Sequence, residues 1–394
     1  MNIESCIPFF LIITFTILWI KLAAKLTGYE VKPGKYKSID GLRGLLAFFV
    51  FFHHSVIWYF FLHNGQWGFP PSHLYRHLGP SSVSLFFMIT AFLFFTRLRS
   101  FKRNGADWLK LYTGRFFRIL PLYFTVVILL FIIAGAITRF TLLEPGANVV
   151  MELGKWLLFM EPDINGIGGT RILVAGVVWS LAYEWLFYFS LPLLGMLFFQ
   201  LWPSFRTLIC ALLCWMLFGC IILYFYQFNI LLRASFFIGG IIAGLLSENT
   251  MVQRIAKTWY ASLLIIALLV LVIVGYPDID SIVPYSCMVL SFILIANGNS
   301  IFGLLNLPAT AIIGQLSYSI YLLHGMLLFC MFHFVLGHDF VAGLSPVGYW
   351  CLIAAISIVL MTICFCTYHL VEKRFLEKTP AAVKWAEKYL RRKS

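Results

Sequence analysis

The sequence predicts an all-α fold, a polytopic transmembrane bundle of about eleven helices, and three observations carry that expectation. Of 394 residues 61% are hydrophobic and only 11% charged, where a soluble domain carries about 25% charged residues. The apolar residues come in blocks of roughly 18 to 25, the length a helix needs to cross a ~30 Å hydrocarbon core. Between these blocks no polar stretch exceeds about 35 residues, which leaves no room for a second folded domain.

The first block, 6–26, has only Glu4 before it, and its lysines follow the run without a small-residue cleavage site. It lacks the basic start of a signal peptide and reads as a retained helix with its N-terminus outside. Blocks at 42–62, 81–96 and 119–138 give three more spans, and the segment 139–172 forms the longest outer loop. The fifth block, 173–200, is followed by 207–226 and 229–246, divided around Gln227 to Ile230. Blocks at 259–276, 283–297, 309–336 and 347–371 complete the set, and a basic tail runs from 377 to 394.

The net charge of +13 raises the question of a nucleic-acid partner, and the placement of the basic residues answers it. Lysines and arginines cluster at alternate loops: Lys21 to Arg43, Arg97 to Arg118, and Lys373 to Lys393. Cationic loops stay in the cytoplasm, so the C-terminus is inside and only Arg76, Arg139, Lys155, Arg171 and Arg233 lie elsewhere. The excess charge is therefore topology, with no nucleic acid needed. The nine cysteines sit in or at the ends of apolar helices with no C-x-x-C pair, which suits helix packing and predicts no metal or disulfide.

Ionisable residues inside a membrane are costly and mark function. The second span opens with Asp40-Gly41-Leu42-Arg43-Gly44 and reaches His53-His54. Eleven residues turn a helix through nearly three full turns, so Arg43 and His54 share a face about 16 Å apart. That suits a path with a cation at its mouth and an imidazole midway; it equally suits a snorkelling Arg and a His bonded to a neighbouring helix. On the fifth span Ser180, Glu184 and Tyr188 recur every fourth residue, a polar stripe whose carboxylate, if unpaired, would be protonated. Ser317, Tyr321 and His324 form a similar stripe on the tenth span. Arg115 and Arg118, three apart at the start of the fourth, suit an anionic group or lipid phosphates.

In this order the motifs resemble acyltransferase family 3, membrane-bound O-acyltransferases. The resemblance rests on Asp40 to Arg43 with His54, the run Ser82-Val83-Ser84-Leu85-Phe86-Phe87-Met88-Ile89-Thr90-Ala91-Phe92, and Arg115-x-x-Arg118-Ile119-x-Pro121. It continues in Trp179-Ser180-Leu181 with Glu184 and in Ser317-Tyr318-Ser319-x-Tyr321-Leu322-x-His324. Thr90-Ala91 stands where the family commonly has Ser-Gly. The resemblance covers residues 36–376, a ten-helix acyltransferase core, with an extra N-terminal helix and cytoplasmic linker in 1–35 and the tail in 377–394.

The resemblance implies transfer of an acyl group, usually acetyl from cytoplasmic acetyl-CoA, to a hydroxyl of a carbohydrate or glycolipid such as a lipopolysaccharide or exopolysaccharide sugar. The setting would be a bacterial inner membrane. It implies that Arg43, Arg115 and Arg118 hold the CoA phosphates and that His54 is the general base, oriented or charge-balanced by Glu184. Asp40, Trp179, Ser180, Tyr321 and His324 would line the site. Whether His54 instead carries the acyl group stays open at this level. A second function class, a secondary transporter of an anionic or sugar substrate, would use Arg43, Glu184 and His54 as pathway charges, with Gly239-Gly240 and Gly244 allowing a helix break. A scaffold would not need the ionisable stripes.

Overall fold

A computed structural model describes residues 2–31, 34–104, 107–226 and 230–391. Backbone in lipid must satisfy its own hydrogen bonds, and the chain does so with helices; among the described residues no strand forms beyond a bridge between Ile164 and Ile167. In order they are α1 (Cys6–Thr27), α2 (Lys37–Asn64), α3 (His73–Asn104), α4 (Trp108–Ile137), α5 (Gly146–Leu157), α6 (Trp179–Phe199), α7 (Phe205–Ile221) and α8 (Ile230–Leu246). There follow α9 (Thr250–Ala256), α10 (Trp259–Gly275), α11 (Ile282–Ala296), α12 (Pro308–Gln315), α13 (Ser317–Cys330), α14 (His338–Ala342), α15 (Pro346–Thr367) and α16 (Lys373–Arg391). Among the described residues eight helices are long and apolar enough to cross a membrane, which makes this an integral membrane protein. The other expected spans are α8, bent by 110° against α9, and the shorter α10 and α11. The expected division of the sixth and seventh spans falls mostly on Gln227 to Asn229, outside the described residues.

Several boundaries differ from the sequence expectation for identifiable reasons. α3 begins at His73, eight residues before the apolar block, and carries Pro80 inside it. α4 begins at Trp108 because the Asp107 carboxylate accepts from the Lys110 N–H at 2.8 Å, an N-cap. Arg115 and Arg118 therefore lie two to three turns inside the helix and not at its start. α6 begins only at Trp179, because Ala175 and Gly176 hold φ of 55° and 58° and end a short turn over Thr170–Val174. The tenth block is broken at Leu316 into α12 and α13. The tail is helical to Arg391, with Val383 buried and Trp385 exposed. All nine cysteines are free thiols.

The chain divides into two compact units, residues 1–95 with 229–361, and residues 96–228 with 362–394. In the first, α2 is the central element, packed by α11, α12, α13 and α14. Phe48, Phe51, Phe52 and Trp58 on α2 are buried to 1% exposure or less. Small residues set the distance between α2 and α12: a Cβ on Gly314 would stand 2.0 Å from the Asp40 carbonyl oxygen. The glycines of the Asp40 to Gly44 motif are thus packing residues, as expected where helix backbones approach in a membrane. Gly239-Gly240 likewise lie inside continuous α8, and a Cβ on Gly240 would meet the Met88 carbonyl at 2.2 Å, so this pair packs α8 on α3 without breaking it. In the second unit α4 packs against α16 and α5, and α6 against α7.

Candidate active site

In the first unit the structure brings His54 and His324 together from helices 270 residues apart. His324 Nδ1 lies 2.9 Å from the Ile320 carbonyl oxygen. A carbonyl only accepts, so Nδ1 carries the proton and Nε2 of the neutral ring presents its lone pair. That Nε2 lies 3.0 Å from His54 Nδ1, which must then be the donor, shared with the Val50 carbonyl at 3.0 Å. His54 is left with Nε2 as its lone-pair nitrogen. One hydrogen-bond chain, from the Ile320 carbonyl through His324 to His54, fixes the tautomer that a general base requires.

Both rings are buried, His324 completely and His54 to 8% exposure. Around them Tyr321 lies 6.3 Å from His324, and the indole of Trp67 lies nearly parallel to His54 at 6.3 Å. Trp67 belongs to the segment between α2 and α3. His53 stands against His54 at 4.9 Å and is anchored by Nδ1, which donates to the Tyr75 carbonyl at 2.7 Å. A Cβ on Gly79 would reach 2.4 Å from the His53 ring, so α3 needs glycine there for the imidazoles to pack. At the far end of α2, Asp40 accepts from the Gly34 N–H at 3.2 Å and feels the charge of half-buried Arg43. Ser82 and Ser84 on α3 and Ser317 on α13 bury hydroxyls with no hydrogen-bond partner among the described residues.

The second unit gathers a separate set. The stripe on α6 forms as the spacing predicts: the Tyr188 hydroxyl donates to the Glu184 carboxylate, and Arg115 of α4 donates to the Tyr188 oxygen. Cation, phenol and carboxylate thus make one relay. Ser180 is spent locally, donating to the Val177 carbonyl at 3.0 Å, and Trp179 is half-buried against Tyr183. Arg118 pairs at 3.5 Å with Glu372, which is 1% exposed. Glu372 ends a widened helical turn over Tyr368–Glu372, just past the last apolar block, a place where the sequence alone does not mark a carboxylate as buried.

A second carboxylate the stripes do not reveal is Glu161, in the loop before α6. It accepts from the Val178 N–H at 2.9 Å and from the Trp179 N–H, so it holds the first turn of the helix that carries Glu184. Burial pushes its carboxyl up to about 7, against the lowering effect of those N–H groups and of Arg171. The loop itself is tied by Asn165, whose side-chain oxygen accepts from Leu143 N–H and whose amide donates to the Thr141 carbonyl, each at 2.8 Å.

Of the residues singled out from sequence, Asp40, Arg43, His54, Tyr321 and His324 thus fall in the first unit and Arg115, Arg118, Trp179, Ser180 and Glu184 in the second. Comparison with curated proteins and with solved structures finds no match. The family model described as an acyltransferase domain matches residues 36–369, and with both histidines, the arginines and the α6 stripe inside that range the chain belongs to acyltransferase family 3.

Proposed function

We propose that this membrane acyltransferase is an O-acetyltransferase, moving acetyl from cytoplasmic acetyl-CoA to a hydroxyl of a cell-surface carbohydrate. Lipopolysaccharide O-antigen or exopolysaccharide sugars are the acceptor class. The reading places the chain in a bacterial inner membrane, N-terminus outside and C-terminus inside, as the basic loops favour. The observation that carries it is the His54–His324 pair, which supports His54 Nε2 as general base.

In the proposed reaction the acceptor oxygen attacks the thioester carbonyl carbon as Nε2 of His54 takes the hydroxyl proton. The new imidazolium is stabilised through Nδ1–H by His324. The tetrahedral oxyanion collapses, the C–S bond breaks, and the CoA sulfur leaves with the proton that His54 returns. No acyl-His54 is needed, since the lone pair is used for the proton.

Arg115 is the favoured phosphate contact. Arg118 already faces Glu372, so its role in CoA binding is the smaller one. Glu184, through Tyr188, balances Arg115, and the orienting role expected of it towards His54 is met by His324. Trp67 offers an aromatic face of the kind that sugar rings stack upon. Incubating the purified protein with radiolabelled acetyl-CoA and candidate glycans tests the reading. Label in the glycan is the expected result; glycan flux across vesicles with no acetyl transfer would replace it with the transporter reading.

A further inference from the structure

The second unit contains a cavity of about 1220 Å³ that the acyl-transfer reading leaves unused. Its walls are the first turns of α4, with Trp108, Tyr112 and Phe116, the middle of α6, with Trp185, and the inner face of α16. The start of α7 closes it and brings Ser204, Arg206 and Thr207 to the rim. The cavity reaches the surface, since Phe205 is 76% exposed and Trp385 69%.

The lining decides what chemistry fits. Inside, the lining is mainly aromatic and aliphatic: the Tyr112 hydroxyl is used, donating to the Tyr188 carbonyl at 3.1 Å, and the polar groups left over include the indole N–H donors of Trp108 and Trp185, buried without a hydrogen-bond partner among the described residues. A guest with amides or several hydroxyls, such as pantetheine or a sugar, would bury most of them without partners, since two indole donors cannot satisfy so many groups. A hydrocarbon chain would not. Three walls are helices that meet the bilayer, where fatty acyl chains are the dominant solute. The fourth, α16, is amphipathic: Lys384 and Lys388 are exposed, while Ala382, Trp385 and Ala386 meet the cavity and Trp385 stacks on Tyr389 at 5.8 Å. That pattern belongs to helices lying in the interface of an anionic membrane. At the rim Arg206 stands beside Ser204, whose hydroxyl meets that of Thr207 at 2.9 Å.

We infer that this cavity is a binding site for an anionic glycerophospholipid, with one acyl chain between α4, α6, α7 and α16 and the phosphate at Arg206. A lipid seated there would back the wall that bears Tyr112, on the reverse of the Arg115–Tyr188–Glu184 relay.

Native mass spectrometry of the full-length protein in detergent, titrated with dioleoyl phosphatidylglycerol, tests this. One adduct should persist at the lowest lipid ratio. Ala211→Trp fills the cavity from a buried position on its wall and should weaken that adduct at least about tenfold. Ala386→Leu, on the half-buried α16 wall, should weaken it in the same direction and carries the test if Ala211→Trp does not fold. Arg206→Gln should bind phosphatidylglycerol and phosphatidylcholine of the same chains equally. Wild-type retention of the adduct in folded filling variants overturns the proposal. So does an equal preference for the two lipids in the unsubstituted protein, or one-for-one displacement by palmitoyl-CoA, which would assign the cavity to a donor chain.

Discussion

Replacing His324 tests how the catalytic imidazole is held. In the proposed transition state His54 becomes charged, and its Nδ1–H donates to His324 Nε2 at 3.0 Å. A hydrogen bond to a charged group contributes about 1.5–3 kcal/mol, and each 1.36 kcal/mol is tenfold in rate. His324→Leu should therefore lower kcat for acetyl transfer by about 10- to 160-fold. His324→Gln, whose side-chain oxygen can accept, should recover part of that loss. The KM for acetyl-CoA should stay put in both, because His324 orients the base and binds no donor. The side chain is fully buried, so thermal unfolding in detergent must show both variants folded. The assay is steady-state release of free CoA thiol with a fixed acceptor. Unchanged kcat in His324→Leu, or a loss confined to KM, would refute the orienting role.

Three further outcomes follow from the packing and charges. Gly79→Ala should cut transfer activity more than it lowers the unfolding temperature, because the new Cβ would meet the buried His53 ring at 2.4 Å; activity equal to the parent would show that His53 yields freely. Glu372→Gln removes the carboxylate that faces Arg118 and should destabilise the protein by about 3–5 kcal/mol, as breaking a buried pair does, read by denaturant or thermal unfolding; Arg118→Gln with Glu372→Gln together should cost less than Glu372→Gln alone. Glu161 has its folded-state pKa raised from 4.5 to about 7, so its contribution to stability is complete below about pH 4.5 and is lost as pH rises to about 7. Glu161→Gln should remove that part of the decline in unfolding temperature between pH 5 and 8, and an unchanged slope would assign the decline elsewhere.

The helices were legible because bilayer spans are long apolar runs, and every expected block holds a helix. Their ends were not. α4 extends to Trp108 through a cap from Asp107, and α3 through Pro80, since helices continue beyond the hydrocarbon where polar residues dominate the pattern. Periodicity found the Ser180, Glu184 and Tyr188 stripe, and with it the Tyr188–Glu184 half of the relay, because its spacing lies on one helix. It also found His54 and His324, each alone. It could not show that they touch, since that contact joins residues 270 apart in sequence and depends on how α13 packs on α2. Glu161 and Glu372 were hidden for another reason: each lies outside an apolar block, where a carboxylate is ordinarily solvated, and only the fold buries them.

In the proposed reaction His54 Nε2 takes the acceptor proton. Single-turnover transfer from radiolabelled acetyl-CoA to the glycan by folded His54→Ala protein, with donor binding measured in parallel, tests it most directly. Donor binding should equal the parent's and transfer should slow by at least about 100-fold; transfer at the parent rate would remove His54 from this role.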